Sequence, residues 1–266
     1  MTRRLTILAG EGALVPEVIS GAMAAGDTVQ VLPLVDRGDL GYRDRYWVGD
    51  LPRLLWRIGV FRSTHVTMVG GLRASIADRE AFKRFAGVGG KSGDAAMLRV
   101  AERLLRLTGA SVVGAESIVP HILAEAGGIA GPPVAPPLMP SLAFALDAAR
   151  ALGRRDRGQA VVTAGDRVLD EEDENGTDAL LDRVAARGGR LVEGEPLVLA
   201  KALKPQQSRL SDRPAIGPET VRRAARAGIR TIVVEAGGAV VVDRAALRQE
   251  AEVAGVSVVG VAGHAG

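Results

Sequence analysis

The chain has 266 residues, of which 47% are hydrophobic, 24% charged and only 3% aromatic. This balance excludes a disordered chain. At roughly 150 residues per domain it fits one large domain or two smaller ones, with a core of Ala, Val, Leu and Ile. The net charge is only +3; the isoelectric point near 9.7 reflects 34 basic residues, of which Lys83, Lys91, Lys201 and Lys204 alone are lysine. Arginine stays protonated up to about pH 12, so the high value needs no basic stripe, and none with interleaved aromatics marks a nucleic-acid binder. The absence of cysteine excludes disulfides, thiolate metal sites and cysteine nucleophiles. No apolar run reaches the roughly 18 residues of a membrane span, and Met1–Gly10 is too short for a signal peptide. The expectation is a cytoplasmic protein that meets lipid only from the surface.

In chain order, Leu5 to Leu8 reads as a strand that turns at Ala9-Gly10-Glu11-Gly12 into a helix over Leu14 to Ala24. Thr28 to Leu34 is a second strand and Leu51 to Ile58 a helix. His65 to Val69 is a third strand, ending in Gly70-Gly71. Asp94 to Leu107 is amphipathic, with Met97, Leu98, Ala101, Leu104 and Leu105 on one face, and Ser111 to Val113 is a short strand. Strands alternating with helices predict an α/β fold with a parallel, Rossmann-like sheet in this half. The stretch Gly127 to Pro140, GGIAGPPVAPPLMP, reads as a stiff linker, because its prolines and glycines exclude a helix or a central strand. It sets domain boundaries at 1–130 and 141–266.

The second half reads as a mixed α/β domain. Ser141 to Leu152 is a helix, followed by strands Gln159 to Thr163 and Arg167 to Leu169. The acidic run Asp170 to Glu174 reads as a solvated turn. Asp178 to Ala186 is a helix and Leu197 to Ala200 a strand, with a polar loop beyond it to Ile216. Gly217 to Ala227 is helical, with Pro218 in its first turn. Strands follow at Thr231 to Val234 and Ala239 to Val242. Asp243 caps a helix over Arg244 to Ala254, and Val256 to Val261 is a last buried strand.

Three segments carry chemistry. Gly10-Glu11-Gly12, between a strand and a helix, allows close backbone approach of a phosphate to free helix N–H groups. Val15 stands where a dinucleotide fingerprint needs its third glycine, which argues against an oxidoreductase. Gly176-Thr177-Asp178 opens a helix, where Thr177 or Asp178 is either a plain cap or, with the backbone N–H groups, a phosphate contact. Lys201 to Pro214, KALKPQQSRLSDRP, is the richest polar loop: Lys204 suits a phosphate, and Asp212 suits a divalent metal or an attacking water. His65, His121 and His264 are too scattered for a zinc or dinuclear centre. There is no P-loop and no G-x-S-x-G elbow.

With these residues in order, the chain resembles a known family. LTILAGEGALVPEVI from Leu5, GDAAMLRVAERLL from Gly93, GTDALLDRV from Gly176, KPQQSRLSDRPAIG from Lys204 and VEAGGAVVVDRAAL from Val234 resemble the cytoplasmic UDP-2,3-diacylglucosamine pyrophosphatases of lipid A synthesis. The type is the one unrelated to calcineurin-like phosphoesterases. The resemblance spans nearly the whole chain, and its C-terminal motifs are the specific part.

The resemblance implies hydrolysis of UDP-2,3-diacylglucosamine to UMP and 2,3-diacylglucosamine 1-phosphate by water attack at the α-phosphorus. It implies a divalent metal, magnesium with manganese as the alternative, and a homodimer of two-domain chains. Lipid product held between the domains is also implied, with peripheral contact at the inner face of the inner membrane. The family's essential aspartate, in D-x-P-x-I-G, maps to Asp212, and KP-x-Q maps to Lys204, Pro205 and Gln207. G-T-D maps to Gly176, Thr177 and Asp178, and E-A-G to Glu235, Ala236 and Gly237. Asp212 is thus the implied catalytic residue and, with Glu235, the implied metal ligand. Gly10, Gly12, Ala13, Gly70, Asp94, Gly176, Thr177, Asp178, Lys204 and Gln207 are the expected substrate contacts. The chain departs from the family at Leu210, Asn175, Ala95 and Gly70-Gly71-Leu72. A binding protein that kept the scaffold without hydrolysis is the second reading.

Overall fold

The structure, a computed structural model, describes residues 2–47, 49–72, 76–86, 94–188, 195–204 and 213–262. The described residues through Pro120 form one compact unit and those from His121 onward form another. Both are α/β.

The first unit contains strands β1 (Arg4–Ala9), β2 (Thr28–Pro33), β3 (His65–Val69) and β4 (Ser111–Val112). They lie in the order β2-β1-β3-β4, and all three pairings are parallel. Parallel neighbours need long crossovers. Here these contain α1 (Leu14–Ala24), α2 (Leu51–Val60), and then α3 (Ile76–Ala86) with α4 (Asp94–Arg106). Successive strand residues point to opposite faces. Leu8, Leu32 and Val66 join Leu51, Leu54 and Ile58 of α2 in one core, whereas Leu5 and Ile7, alternating with Leu8, are fully buried on the other face. The spacing 51, 54, 58 is one stripe of a helix, and Asp50 starts that helix by accepting from the Arg53 N–H at 3.3 Å.

The second unit is built on six strands in the order β5-β12-β10-β8-β6-β7. Their ranges are β5 (Gly127–Ala130), β6 (Ala160–Ala164), β7 (Arg167–Glu171), β8 (Leu197–Lys201), β10 (Thr231–Ala236) and β12 (Ser257–Ala262). The three central strands, β12, β10 and β8, are parallel, and the flanking pairings are antiparallel. Alternation splits the core into two layers. Val161, Val198, Ala200 and Val233 pack on Leu142, Ala145, Leu146, Ala149 and Leu152 of α5 (Met139–Arg154). Ala160, Val162, Leu199, Ile232 and Val234 face α6 (Gly176–Ala186), α7 (Pro218–Arg226) and α8 (Arg244–Ala254) through Leu180, Val221 and Leu247. A side chain such as Leu146, fully buried, contributes roughly 1.5–3 kcal/mol by transfer alone. A separate parallel pair, β9 (Ala215–Ile216) with β11 (Val240–Val241), closes the base of the loop that precedes α7.

Two expectations change. Gly127–Ala130, expected within the linker, is an edge strand against β12, and the Ser257 hydroxyl donates to the Pro132 carbonyl at 2.7 Å. This stretch belongs to the second unit, and the division falls upstream at Pro120. The physical reason lies on the neighbouring strand: a Cβ at Gly260 would meet the Glu125 carbonyl oxygen at 1.7 Å, so glycine on β12 admits the incoming chain where a side chain would not. The acidic run is not a solvated turn. Asp170 and Glu171 end β7, and Glu172 is buried.

Candidate functional site

In the first unit the strand order reverses between β1 and β3, and the carboxyl ends of strands at such a switch point are where α/β sheets bind ligands. Gly10 and Gly12 follow β1, and Gly70 follows β3. The two turns are locked together. Gly10 N–H donates to the Val69 carbonyl at 2.8 Å, and Glu11 and Gly71 exchange backbone hydrogen bonds of 2.7 and 2.9 Å. Only glycine fits: a Cβ at Gly10 would lie 2.3 Å from the Gly71 oxygen, and one at Gly70 would lie 2.3 Å from the Glu11 oxygen. Gly12 has a positive φ of 103° with open space where a Cβ would be. Ala13 is the N-cap of α1 and offers no side-chain cap, so the first-turn N–H groups face outward from the helix end uncapped by any side chain. Asp94 opens α4.

Arg37 completes this turn, and sequence reasoning missed it. It is 5% exposed, and one guanidinium nitrogen donates to the Gly10 carbonyl at 2.7 Å and to the Gly12 carbonyl at 3.2 Å. Asp39 pairs with the other side of the guanidinium at 2.7 Å, and that hydrogen bond holds the Asp39 carboxyl below the usual carboxylate range. An isolated arginine beyond a strand carries no signal of such a contact.

In the second unit Gly176-Thr177-Asp178, Lys204 and Glu235-Ala236-Gly237 lie at one end of the six-stranded sheet. The pairing Ala160↔Lys201 places the start of β6 beside the end of β8, and Val234↔Lys201 places the end of β10 on the other side of β8. Glu172, at the end of β7, anchors the start of α6. One carboxylate oxygen accepts from Gln159 N–H at 2.6 Å and Ala160 N–H at 3.1 Å, and the other accepts from the Thr177 hydroxyl at 2.6 Å. Around it, Asp170 and Asp173 pair with Arg183, and the Asn175 backbone N–H chiefly lowers the Asp173 pKa. The expected caps are therefore corrected: the N-cap of α6 is Asn175, with no side-chain cap, and the Thr177 hydroxyl serves Glu172 instead. Gly176, with φ of 82°, makes the turn, and Asp178 sits 3.8 Å from Arg223.

Lys204 lies beside α5, with its Cα 3.3 Å from where a Cβ of Gly153 would be, and its ammonium meets Asp156 at 3.3 Å. Glu235, at the end of β10, accepts from Arg150 of α5 at 3.1 Å and from the Leu203 N–H at 3.2 Å. Gln207 and Asp212 lie outside the described residues. The structure thus gathers Gly176, Thr177, Lys204 and Glu235 at one sheet end, and Gly10, Gly12, Ala13 and Gly70 at another.

A divalent cation does not fit Glu235 as it stands. Each of its oxygens already accepts a hydrogen bond, one from a guanidinium that occupies the place a cation would take. Among the described residues no three His, Asp or Glu side chains converge on a point. Among them, too, no helix is long and apolar enough to cross a membrane.

Comparison with known proteins covers both units. The family model described as the LpxI C-terminal domain matches residues 126–259, a span that contains Gly176-Thr177-Asp178, Lys204 and Glu235. UDP-2,3-diacylglucosamine pyrophosphatase LpxI of Caulobacter vibrioides is 35% identical over an alignment of 275 residues, which covers 97% of this chain and 98% of that protein. Similarity of that extent, over both units, shows that the chain belongs to the LpxI family.

Proposed function

We propose that the chain hydrolyses the pyrophosphate bond of UDP-2,3-diacylglucosamine, releasing UMP and 2,3-diacylglucosamine 1-phosphate, in the synthesis of lipid A. The observation that carries the reading is that Gly176-Thr177-Asp178, Lys204 and Glu235 lie at one end of the second sheet, in a chain similar over 97% of its length to a protein of that name. Cleaving a phosphoanhydride needs charge neutralised on the phosphoryl oxygens and a water held in line; positioning and electrostatics dominate. Lys204 supplies a cation at this end, exchanging its exposed Asp156 partner for phosphate. The first turn of α6, without a side-chain cap, supplies backbone N–H donors beside Thr177. Asp212 orients the attacking water. Dependence on magnesium or manganese belongs to the proposal through Asp212 rather than Glu235.

Purified protein incubated with the lipid substrate and magnesium in ¹⁸O-water should release UMP carrying the label, because attack at the α-phosphorus leaves the new oxygen on the nucleotide. Label in the lipid phosphate refutes that site of attack. Binding without UMP supports the scaffold-only reading instead. Asp212→Ala should lower turnover by at least about 10²-fold, as loss of one electrostatic group does; near-normal turnover would remove Asp212 from the mechanism.

A further inference from the structure

The surroundings of Glu235 give it a different task from holding metal. The polar loop that leaves β8 and returns at β9 is fastened at its stems to the end of β10 and the turn that follows it. On the outgoing stem, the Leu203 N–H donates to Glu235 at 3.2 Å. On the returning stem, the Arg213 guanidinium donates to the Gly237 carbonyl at 2.8 Å and the Pro214 carbonyl accepts from Val240 N–H at 2.8 Å. The two stems are also joined directly, because the buried Lys201 ammonium donates to the Ala215 carbonyl at 2.9 Å. The turn itself is tied to the body of the unit, with Gly237 N–H on the Ala124 carbonyl and Ala124 N–H on the Ala239 carbonyl, both at 2.9 Å.

Glu235 is the hub of this arrangement. It reaches the outgoing stem with one oxygen and α5 with the other, through Arg150, which also pairs with Asp147 at 2.9 Å. Gly238 leaves room for this geometry: a Cβ there would come within 3.1 Å of Glu235 Cγ and Oε2, and the side chain would have to give by a few tenths of an ångström. An acid bound to a guanidinium and a backbone N–H is a strong acceptor but a poor cation ligand, because metal binding would have to displace a charged partner.

We propose that Glu235 is a positioning residue rather than a metal ligand: paired with Arg150, it fixes the backbone at Leu203 and thereby aims Lys204, the next residue, at the phosphates. The proposal rests on the hydrolysis proposed above only for its activity readout.

The test compares Glu235→Ala and Glu235→Gln in the full chain. Gln keeps an oxygen for Leu203 while Arg150 retains Asp147; Ala keeps nothing. Amide exchange at Leu203, read by NMR without substrate or metal, should speed up by about tenfold or more in Glu235→Ala and stay within about threefold of the parent in Glu235→Gln. Turnover should follow the same order, with Gln close to the parent, and the half-saturating magnesium concentration should not move in the Gln variant. A Gln variant that needs about tenfold more magnesium while Leu203 exchange is unchanged in both variants would overturn the proposal and make Glu235 a ligand. If Glu235→Ala does not fold, Glu235→Leu, which fills similar space without an acceptor, takes its place; faster Leu203 exchange there supports the proposal and unchanged exchange overturns it. If the parent chain does not release UMP, the function proposed above fails, and the exchange at Leu203 still decides the role of Glu235.

Discussion

Replacing Glu172 by alanine tests whether a buried carboxylate, rather than helix propensity, fixes the start of α6. The side chain is 7% exposed and accepts three hydrogen bonds, two of them on one oxygen. Ala160 is fully buried, so its N–H has no water to turn to, and leaving it unpaired costs about 1–3 kcal/mol. Gln159 and Thr177 are only half-buried and recover part of their loss from solvent, at about 0.5–1 kcal/mol each. The alanine variant should therefore lose about 2–5 kcal/mol. Glutamine should lose only about 1 kcal/mol. Its oxygen can accept from both backbone N–H groups, and its amide can donate to the Thr177 hydroxyl, so geometry survives and only charge assistance is lost. Because the two compact units need not unfold together, native-state hydrogen exchange of the β6 amides is the right measure, not a single melting curve. Equal losses in the two variants, within about 0.5 kcal/mol, would refute the hydrogen-bond accounting.

Other outcomes follow from the same geometry. Gly70→Ala and Gly10→Ala each place a Cβ 2.3 Å from a backbone oxygen, so both should cost the first unit more than about 2 kcal/mol, whereas Gly12→Ala meets open space and should cost only about 1–2 kcal/mol of left-handed strain. Native-state hydrogen exchange of the β1 and β3 amides in the three variants checks the order, and equal losses would count against the interlocked turns. The Asp39 and Asp173 carboxyls are both held below their ordinary value, by Arg37 and by the Asn175 N–H respectively. The stability they add is therefore full above the unfolded pKa near 3.9 and is lost as pH falls through the lower folded values. Asp39→Asn should leave the thermal midpoint unaltered in its pH dependence above about pH 5 and flatten the fall below about pH 4; an unchanged acid limb would disprove the contribution.

Where local pattern and tertiary environment agree, the sequence suffices to place an element. His65–Val69, Leu14–Ala24 and Arg244–Ala254 form with the expected bounds because each carries its own punctuation: a glycine pair after β3, the Gly10–Gly12 turn before α1, and the Asp243 cap before α8, which accepts from Ala246 N–H at 3.1 Å. Elements whose reason lies elsewhere in the chain escape. The edge strand Gly127–Ala130 has no strand signature of its own; it exists because Gly260, far along the chain, leaves space beside it. Helix α3, Ile76–Ala86, is rich in charge and shows only a weak apolar stripe.

The same division runs through the candidate site. The glycine turn, the G-T-D helix start and the polar loop were legible because each needs a special backbone or an unusual run of polar residues, and these show in one dimension. The residues that hold them were not. Arg37 and Arg150 are two among many arginines, distinguished only by the carbonyls and the carboxylate that folding brings to them. Glu172 stood in a run of acids that reads as solvated, yet it is buried while its neighbours Asp170 and Asp173 neutralise Arg183. A charge run of this kind is a face only if nothing meets it. Here β6 presents two N–H groups and α6 a hydroxyl, three donors from two elements, so the carboxylate in the middle becomes a joint. That joint and the Glu235–Arg150 pair stand at the same end of the sheet, where they hold a helix start and a loop stem that the proposed chemistry needs fixed in place.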